Sequence, residues 1–207
     1  MPVRADAGKK LRGDGGGSTP DDVVNLPNTI TFSRLVLTAA FVVAVSIGGV
    51  GGLTVGLVTF IVAAISDFVD GYLARKLNQV TAMGKLMDPL ADKILMAAAY
   101  IFLVQKGVCP DWVATVIVGR EFLVTGLRGL AVEQGEVIAA DRWGKWKTGF
   151  QIAFCIAGII LLIDTRWNLL LPLAEILTPP FLWLSFALTV FSGGNYLWKA
   201  RGLIRSS

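Results

Sequence analysis

The chain has 207 residues, which suits one domain, and 54% of them are apolar while only 16% are charged. This composition is too apolar for the surface of a water-soluble protein, so a lipid bilayer is the expected solvent. The formal charge of +4 forms no basic stripe interleaved with aromatic residues on a polar segment, which argues against a nucleic-acid partner.

The first 22 residues are rich in glycine and charge and lack the apolar stretch of a secretory signal. We expect them to form a disordered cytoplasmic tail that precedes a membrane catalytic domain at residues 23–207. Six apolar stretches follow, each near the ~20 residues that span a hydrocarbon core. They are Ile30–Val50, Leu53–Leu73, Leu90–Gln105, Trp112–Leu130, Thr148–Ile163 and Pro180–Trp198. The predicted fold is an all-α integral membrane protein with six transmembrane helices.

Chain breakers separate these stretches, and the third and fifth are short enough that we expect them to extend into the flanking polar turns. The breakers are Gly48, Gly49, Gly51 and Gly52 after the first stretch, Gly107 and Pro110 before the fourth, and Pro179 and Pro180 before the sixth.

Positive charge predicts the orientation, because cytoplasmic loops retain Lys and Arg. With the N-terminus inside, seventeen of the nineteen cations lie on the inner side and only Lys106 and Arg166 lie outside. We therefore expect a multi-pass protein of the cell (inner) membrane, surrounded by membrane lipids, with both termini in the cytoplasm.

Four aspartates mark the junction between the second and third stretches. Asp67 and Asp70 close one apolar helix, and Asp88 and Asp92 open the next, so each helix presents a carboxylate pair at the same membrane face. Four carboxylates at a helix end repel one another and need a cation. Without histidine or a C-x-x-C pair, oxygen ligands favour Mg²⁺ or Mn²⁺, and two such ions would balance the charge. The alternatives are that the aspartates lie solvated in a loop or form salt bridges with Arg75, Lys76, Lys85 and Lys93.

The aspartates belong to a longer pattern, Asp67-x-x-Asp70-Gly71-x-x-Ala74-Arg75, eight residues, then Gly84-x-x-x-Asp88-x-x-x-Asp92. All eight fixed positions resemble the signature of the CDP-alcohol phosphotransferase family. The resemblance implies a six-helix fold, a homodimer, and transfer of a phosphoryl-linked group from a CDP-alcohol to a second alcohol with release of CMP.

Carried over by position, the resemblance implies that Asp67, Asp70 and Asp88 bind metal, and that Asp92 completes the metal site and acts as general base. The positions it places against the cytidine nucleotide are Asp67, Gly71, Ala74, Arg75 and Gly84. Chemistry agrees, since two metal ions can offset charge on a pyrophosphate attacked in line. In a chain without histidine, an aspartate near the metal is the expected proton acceptor.

Three further segments, Asn25–Arg34, Arg120–Gly135 and Gly144–Gln151, resemble one bacterial branch of that family. Its members use CDP-diacylglycerol and glycerol 3-phosphate to make phosphatidylglycerol phosphate and CMP in phospholipid biosynthesis. The resemblance runs from about Asn25 to Gln151, and the last apolar stretch is generic.

An acceptor that carries a phosphate needs a cationic pocket apart from the metals. Arg120 is the best candidate, because a guanidinium within a span is costly without an anionic partner. Glu121 is a candidate for orienting an arginine, which the sequence alone does not show. The other predicted acceptor-phosphate residues are Arg128, Lys145, Lys147, Thr31 and Arg34. For the first three, anchoring of the cytoplasmic side is the alternative, and for Thr31 it is helix entry.

Other functions remain open on sequence grounds. Another branch of the family, such as a phosphatidylserine, phosphatidylinositol-phosphate or cardiolipin synthase, would differ in its acceptor. A divalent-cation transporter also uses acidic residues between membrane helices, although these aspartates cluster at one face rather than mid-span. A purely structural scaffold gives no reason for four carboxylates at an apolar boundary.

Overall fold

The computed structural model describes residues 26–77, 82–133, 142–163 and 169–205, with side chains at 32–66, 93–131, 144, 146–163, 169–198 and 201. Six α-helices account for nearly all of these residues, and no strand occurs among them. They are α1 (Leu26–Ile47), α2 (Gly49–Leu77), α3 (Ala82–Gln105), α4 (Asp111–Glu133), α5 (Arg142–Leu162) and α6 (Leu171–Arg205). The predicted all-α fold is confirmed, and so is the extension of α3 and α5 into polar flanks. The predicted tail, residues 1–22, lies outside the described residues.

The turn between α1 and α2 is tighter than expected. Gly48 and Gly49 have φ angles of 69° and 64°, the left-handed region that glycine reaches without strain. The prediction that Gly51 and Gly52 separate the helices is wrong, because both lie inside α2. A Cβ at Gly52 would lie 2.5 Å from the Ala44 carbonyl oxygen, so this glycine lets the two helices approach closely.

The prolines also differ from their predicted role. Pro179 and Pro180 lie inside α6 and do not separate it from the preceding segment, so that prediction is wrong. Proline costs a helix one N–H donor, but membrane helices tolerate it where other groups satisfy the backbone. The carbonyls that lose their N–H donor are those of Glu175 and Ile176, four residues before each proline. The sixth helix therefore begins at Leu171.

Aromatic side chains join four of the helices in one apolar core. Phe41 of α1 packs against Phe60 of α2 and Phe102 of α3, with ring centroids 5.8 and 6.3 Å apart. Tyr100 of α3 stacks on Phe154 of α5 at 5.5 Å. All five side chains are buried. These contacts set the depth of each helix relative to its neighbours.

The outer surface is apolar, as expected of a protein that contacts lipid. Ile47, Ile101, Leu169 and Ile176 are each more than two-thirds exposed. Two segments of the described chain, Gly49–Ser66 and Leu171–Trp198, are long and apolar enough to cross a bilayer. Shorter apolar segments occur at Phe32–Ile47, Lys93–Gln105 and Trp146–Leu162. Six helices are thus confirmed, while six membrane crossings remain a prediction.

Candidate functional site

The helix pairing brings both aspartate pairs to one end of the bundle. Asp67 and Asp70 lie in α2 within ten residues of its end at Leu77, and α3 begins at Ala82, only five residues later. Asp88 and Asp92 lie within the first eleven residues of α3. So short a connection reaches at most ~18 Å, so the end of α2 and the start of α3 are neighbours.

The aspartate side chains, like those of Gly71, Ala74, Arg75 and Gly84, lie outside the described side chains. Their assigned roles therefore remain predictions. Among the side chains that are described, no group of three or more His, Cys, Asp or Glu could hold a metal ion. The donor chemistry of four carboxylates on two adjacent helix ends suits hard divalent cations such as Mg²⁺ and Mn²⁺.

Arg34 lies at this same end. Phe41 and Phe60 are in contact across antiparallel α1 and α2, and Arg34 precedes Phe41 by as many residues as Asp67 follows Phe60. Equal offsets along paired helices give equal depth. Arg34 is buried there, at the level of the aspartate end.

The carboxylate of Glu121 on α4 contacts cationic side chains from three helices. Glu121 Oε2 lies 3.2 Å from Nζ of Lys93 on α3. Glu121 Oε1 accepts a hydrogen bond from Nζ of Lys147 on α5 and lies 3.4 Å from Nη1 of Arg120. The Glu121 side chain is 12% exposed and that of Lys147 only 4%. We call Lys93, Arg120, Glu121 and Lys147 the Glu121 cluster.

The Glu121 cluster adjoins the aspartate end, because Lys93 directly follows Asp92 in α3. Its three cations outnumber its single carboxylate, so its four side chains carry a net charge of +2. Buried charge of one sign is costly unless an opposite charge neutralises it. The cluster is therefore suited to a doubly negative ligand next to the aspartates.

Residues of α6 contact the Arg120 side chain and hold it in place. Nη2 of Arg120 donates to Oγ of Ser192 at 3.0 Å. A Cβ at Gly193 would lie 3.0 Å from Arg120 Cγ and 3.4 Å from its Nε, so a larger residue there would require the arginine side chain to shift by a few tenths of an ångström. At Gly194, in contrast, a Cβ would meet nothing within 4 Å. The position of the Arg120 guanidinium thus depends on two consecutive residues of α6.

A row of buried hydroxyl side chains that includes Ser192 runs along α6. Ser185, Thr189 and Ser192 are all buried and recur at spacings of four and three, which places them on one helical face. Gln151 of α5 donates to the Thr189 hydroxyl at 3.3 Å. Such hydrogen bonds join helices within a membrane. The helix that looked generic in sequence is the one that supports Arg120.

The predicted acceptor residues therefore divide into groups. Arg120 and Lys147 meet at Glu121, as does Lys93, which the prediction omitted. Arg128 lies two turns further along α4, with its guanidinium 6.0 Å from the centre of the Tyr196 ring. The side chains of Thr31 and Lys145 lie outside the described set.

Comparison with known proteins identifies the family. The family model of CDP-alcohol phosphatidyltransferase matches residues 24–191. A Bacillus subtilis protein named CDP-diacylglycerol–glycerol-3-phosphate 3-phosphatidyltransferase is 41% identical over 196 residues, covering 88% of this chain and 98% of its own. Relatives of the same name from Rickettsia felis and Haemophilus influenzae are 34% and 33% identical, covering 83% and 86% of this chain and 93% and 94% of theirs. With its signature aspartates at one end of a six-helix bundle, the chain belongs to the CDP-alcohol phosphatidyltransferase family.

Proposed function

We propose that this protein transfers a phosphatidyl group from CDP-diacylglycerol to glycerol 3-phosphate, giving phosphatidylglycerol phosphate and CMP. The observation that carries the proposal is 41% identity, over nearly the whole of both chains, to the Bacillus subtilis enzyme named for that reaction. The Glu121 cluster supports the acceptor assignment, because its charge of +2 complements a phosphomonoester that carries nearly two negative charges at neutral pH.

The reaction forms one phosphorus–oxygen bond and breaks another. The acceptor hydroxyl attacks the phosphatidyl phosphorus, the pyrophosphate bond to the cytidine monophosphate breaks, and CMP leaves with the bond electrons. In our proposal the Asp92 carboxylate takes the hydroxyl proton. Two divalent ions held by Asp67, Asp70, Asp88 and Asp92 would supply charge stabilisation to the pyrophosphate oxygens. Gly71, Ala74, Arg75 and Gly84 would contact the cytidine nucleotide, as the family signature implies.

We assign acceptor binding to the Glu121 cluster, which lies next to the aspartates at the same end of the bundle. Arg120 and Lys147 would hold the glycerol 3-phosphate phosphate, since Arg gives bidentate, charge-assisted bonds and a buried Lys gives a point charge. Arg34, buried at the depth of the aspartates, would line the same cavity. Lys145, Thr31 and Arg128 would also contribute to the acceptor pocket, as the sequence predicts.

An acceptor panel tests the proposed function. Purified protein in detergent is given CDP-diacylglycerol and Mg²⁺, and CMP release is compared for glycerol 3-phosphate, serine, inositol phosphate and phosphatidylglycerol. We expect glycerol 3-phosphate to be turned over fastest. Faster turnover of any other acceptor would assign the protein to another branch of the family. The absence of CMP release with all four acceptors would contradict the proposed function.

The proposed topology places both termini and the active site in the cytoplasm of a multi-pass membrane protein. Its support is the excess of Lys and Arg on one side of the bundle. A cysteine introduced at Gln134 should resist an impermeant thiol reagent in intact cells, whereas one at Lys106, in the exposed turn after α3, should react. The opposite labelling pattern would show that the protein has the inverse orientation in the membrane. The homodimer remains a prediction, which the particle mass in detergent tests.

A further inference from the structure

Glu121 occupies an unusual place for a carboxylate in an anion-binding pocket. A negative group beside a phosphate site opposes binding by simple charge repulsion. Yet, among the side chains that the structure describes, Glu121 contacts Lys93, Arg120 and Lys147, which come from three different helices. Its two oxygens are divided between them, with Lys93 on Oε2 and the other two on Oε1.

Without this carboxylate, Lys93, Arg120 and Lys147 would lose the counter-ion that they share, in a largely desolvated space. Like charges at such separations repel and would turn the flexible side chains away from one another. Lys93 and Arg120 are only 20% and 15% exposed, so water screens this repulsion poorly. Glu121 thus holds the side-chain nitrogens of the three cations close to one another.

Arg120 is fixed a second time, from α6. Ser192 accepts a hydrogen bond from Nη2, while Glu121 faces Nη1, so the two ends of the guanidinium fork are held by different helices. Gly193 provides the open surface on which the Cγ and Nε atoms lie. A guanidinium held in this way is pre-organised and loses little freedom when it binds an anion.

We propose that Glu121, Ser192 and Gly193 are positioning residues for the acceptor: they hold the Arg120 guanidinium, with Lys147 and Lys93, in the geometry that receives the acceptor phosphate. This inference rests on the proposed function and deepens it. It assigns part of the acceptor site to α6, a helix that carries none of the signature residues. It also gives the buried carboxylate a role other than binding metal or moving a proton.

Neighbouring glycines of α6 provide a matched test. Gly193→Ala and Gly194→Ala make the same chemical change in the same helix, but only the first places a methyl group against Arg120. We expect Gly193→Ala to raise the KM for glycerol 3-phosphate about tenfold, because sub-ångström misplacement of a binding group is costly. Its KM for CDP-diacylglycerol should stay within about twofold, and Gly194→Ala should match the unaltered protein in both.

A second variant removes the charge while keeping the shape. Glu121→Gln should also raise the KM for glycerol 3-phosphate about tenfold or more, with a smaller effect for Glu121→Asp, which keeps the negative charge. Lower KM in Glu121→Gln would show that the carboxylate merely competes with the phosphate, and would overturn the proposal. Equal losses for both substrates would indicate a structural role and would overturn it too.

The outcomes separate this inference from the function on which it rests. If the unaltered protein turns over glycerol 3-phosphate and Gly193→Ala behaves like Gly194→Ala, the positioning role is wrong and the proposed function stands. If the unaltered protein does not use glycerol 3-phosphate at all, both are wrong. A glycerol 3-phosphate defect confined to Gly193→Ala and Glu121→Gln supports both.

Discussion

Two residues of α3, nine positions apart, lie in different surroundings: Phe102 in the apolar core and Lys93 in the charged Glu121 cluster. Phe102 is buried and packs edge to face against Phe41 of α1. At Lys93 the neighbour is the Glu121 carboxylate. Apolar packing in the first region can be replaced by lipid contacts or other apolar groups at moderate cost, but the second holds charges that need specific partners. Substitutions in the first region should therefore change stability, and those at the polar end should change activity.

The largest effect is expected at the aspartates. Asp88→Ala should lower CMP release by a factor on the order of 10³, because the charge on the pyrophosphate would lose its compensation. Asp111→Ala, at the opposite end of the bundle on α4, is the matched control and should keep its activity. Turnover that persists undiminished in excess EDTA would contradict the assignment of a metal site.

A smaller loss is expected for the proposed base. Asp92→Asn keeps the shape of the side chain but cannot accept the hydroxyl proton, so the rate should fall by at least ~10²-fold. Binding of CDP-diacylglycerol, measured by its KM, should change little. A near-normal rate at neutral pH would transfer the role of base to another group.

In the apolar region, consecutive residues of α3 give a clean contrast. Phe102 is 5% exposed and Ile101 is 68% exposed. Phe102→Ala should lower the free energy of unfolding by about 2 kcal/mol, mainly through the cavity that it leaves, since lipid is as apolar as the core. Ile101→Ala should have little effect. The midpoint of SDS-induced unfolding measures both, and similar midpoints would argue against the packing described for Phe41.

The smallest effect is expected at the close contact of α1 and α2. A methyl group at Gly52 would meet the Ala44 carbonyl oxygen, whereas one at Gly51 would meet nothing within 4 Å. We expect Gly52→Ala to destabilise the protein by about 1 kcal/mol, a modest overpacking cost. Gly51→Ala should be neutral or slightly stabilising in the same unfolding assay. If the two variants unfold alike, the helices are not as close as described.

The number of helices could be predicted from sequence because the bilayer requires long apolar segments and polar turns between them. Helix ends at Pro179 and Gly52 were mispredicted for a physical reason. Residues that break a helix in water are used within membrane helices, where hydroxyls satisfy freed carbonyls and glycines allow close packing.

The site was only partly predictable. Asp67 to Asp92 form a contiguous signature, so their family role could be identified without a fold. Tertiary packing of α3, α4 and α6 brings Lys93 to Glu121 and Ser192 to Arg120, and no local spacing in the sequence connects these pairs. A sequence signal for α6 existed in the recurrence of Ser185, Thr189 and Ser192 on one face of an otherwise apolar helix, which is typical of a buried polar contact.

We assign the donor to the aspartates and the acceptor phosphate to the Glu121 cluster, and steady-state kinetics of Arg120→Ala test this division most directly. Loss of a buried contact to a charged group costs about 2–5 kcal/mol, so kcat/KM for glycerol 3-phosphate should fall at least about 30-fold. The KM for CDP-diacylglycerol should stay within about twofold, and Arg128→Ala should have a smaller effect than Arg120→Ala. Equal losses for both substrates, or a larger loss in Arg128→Ala, would contradict the division.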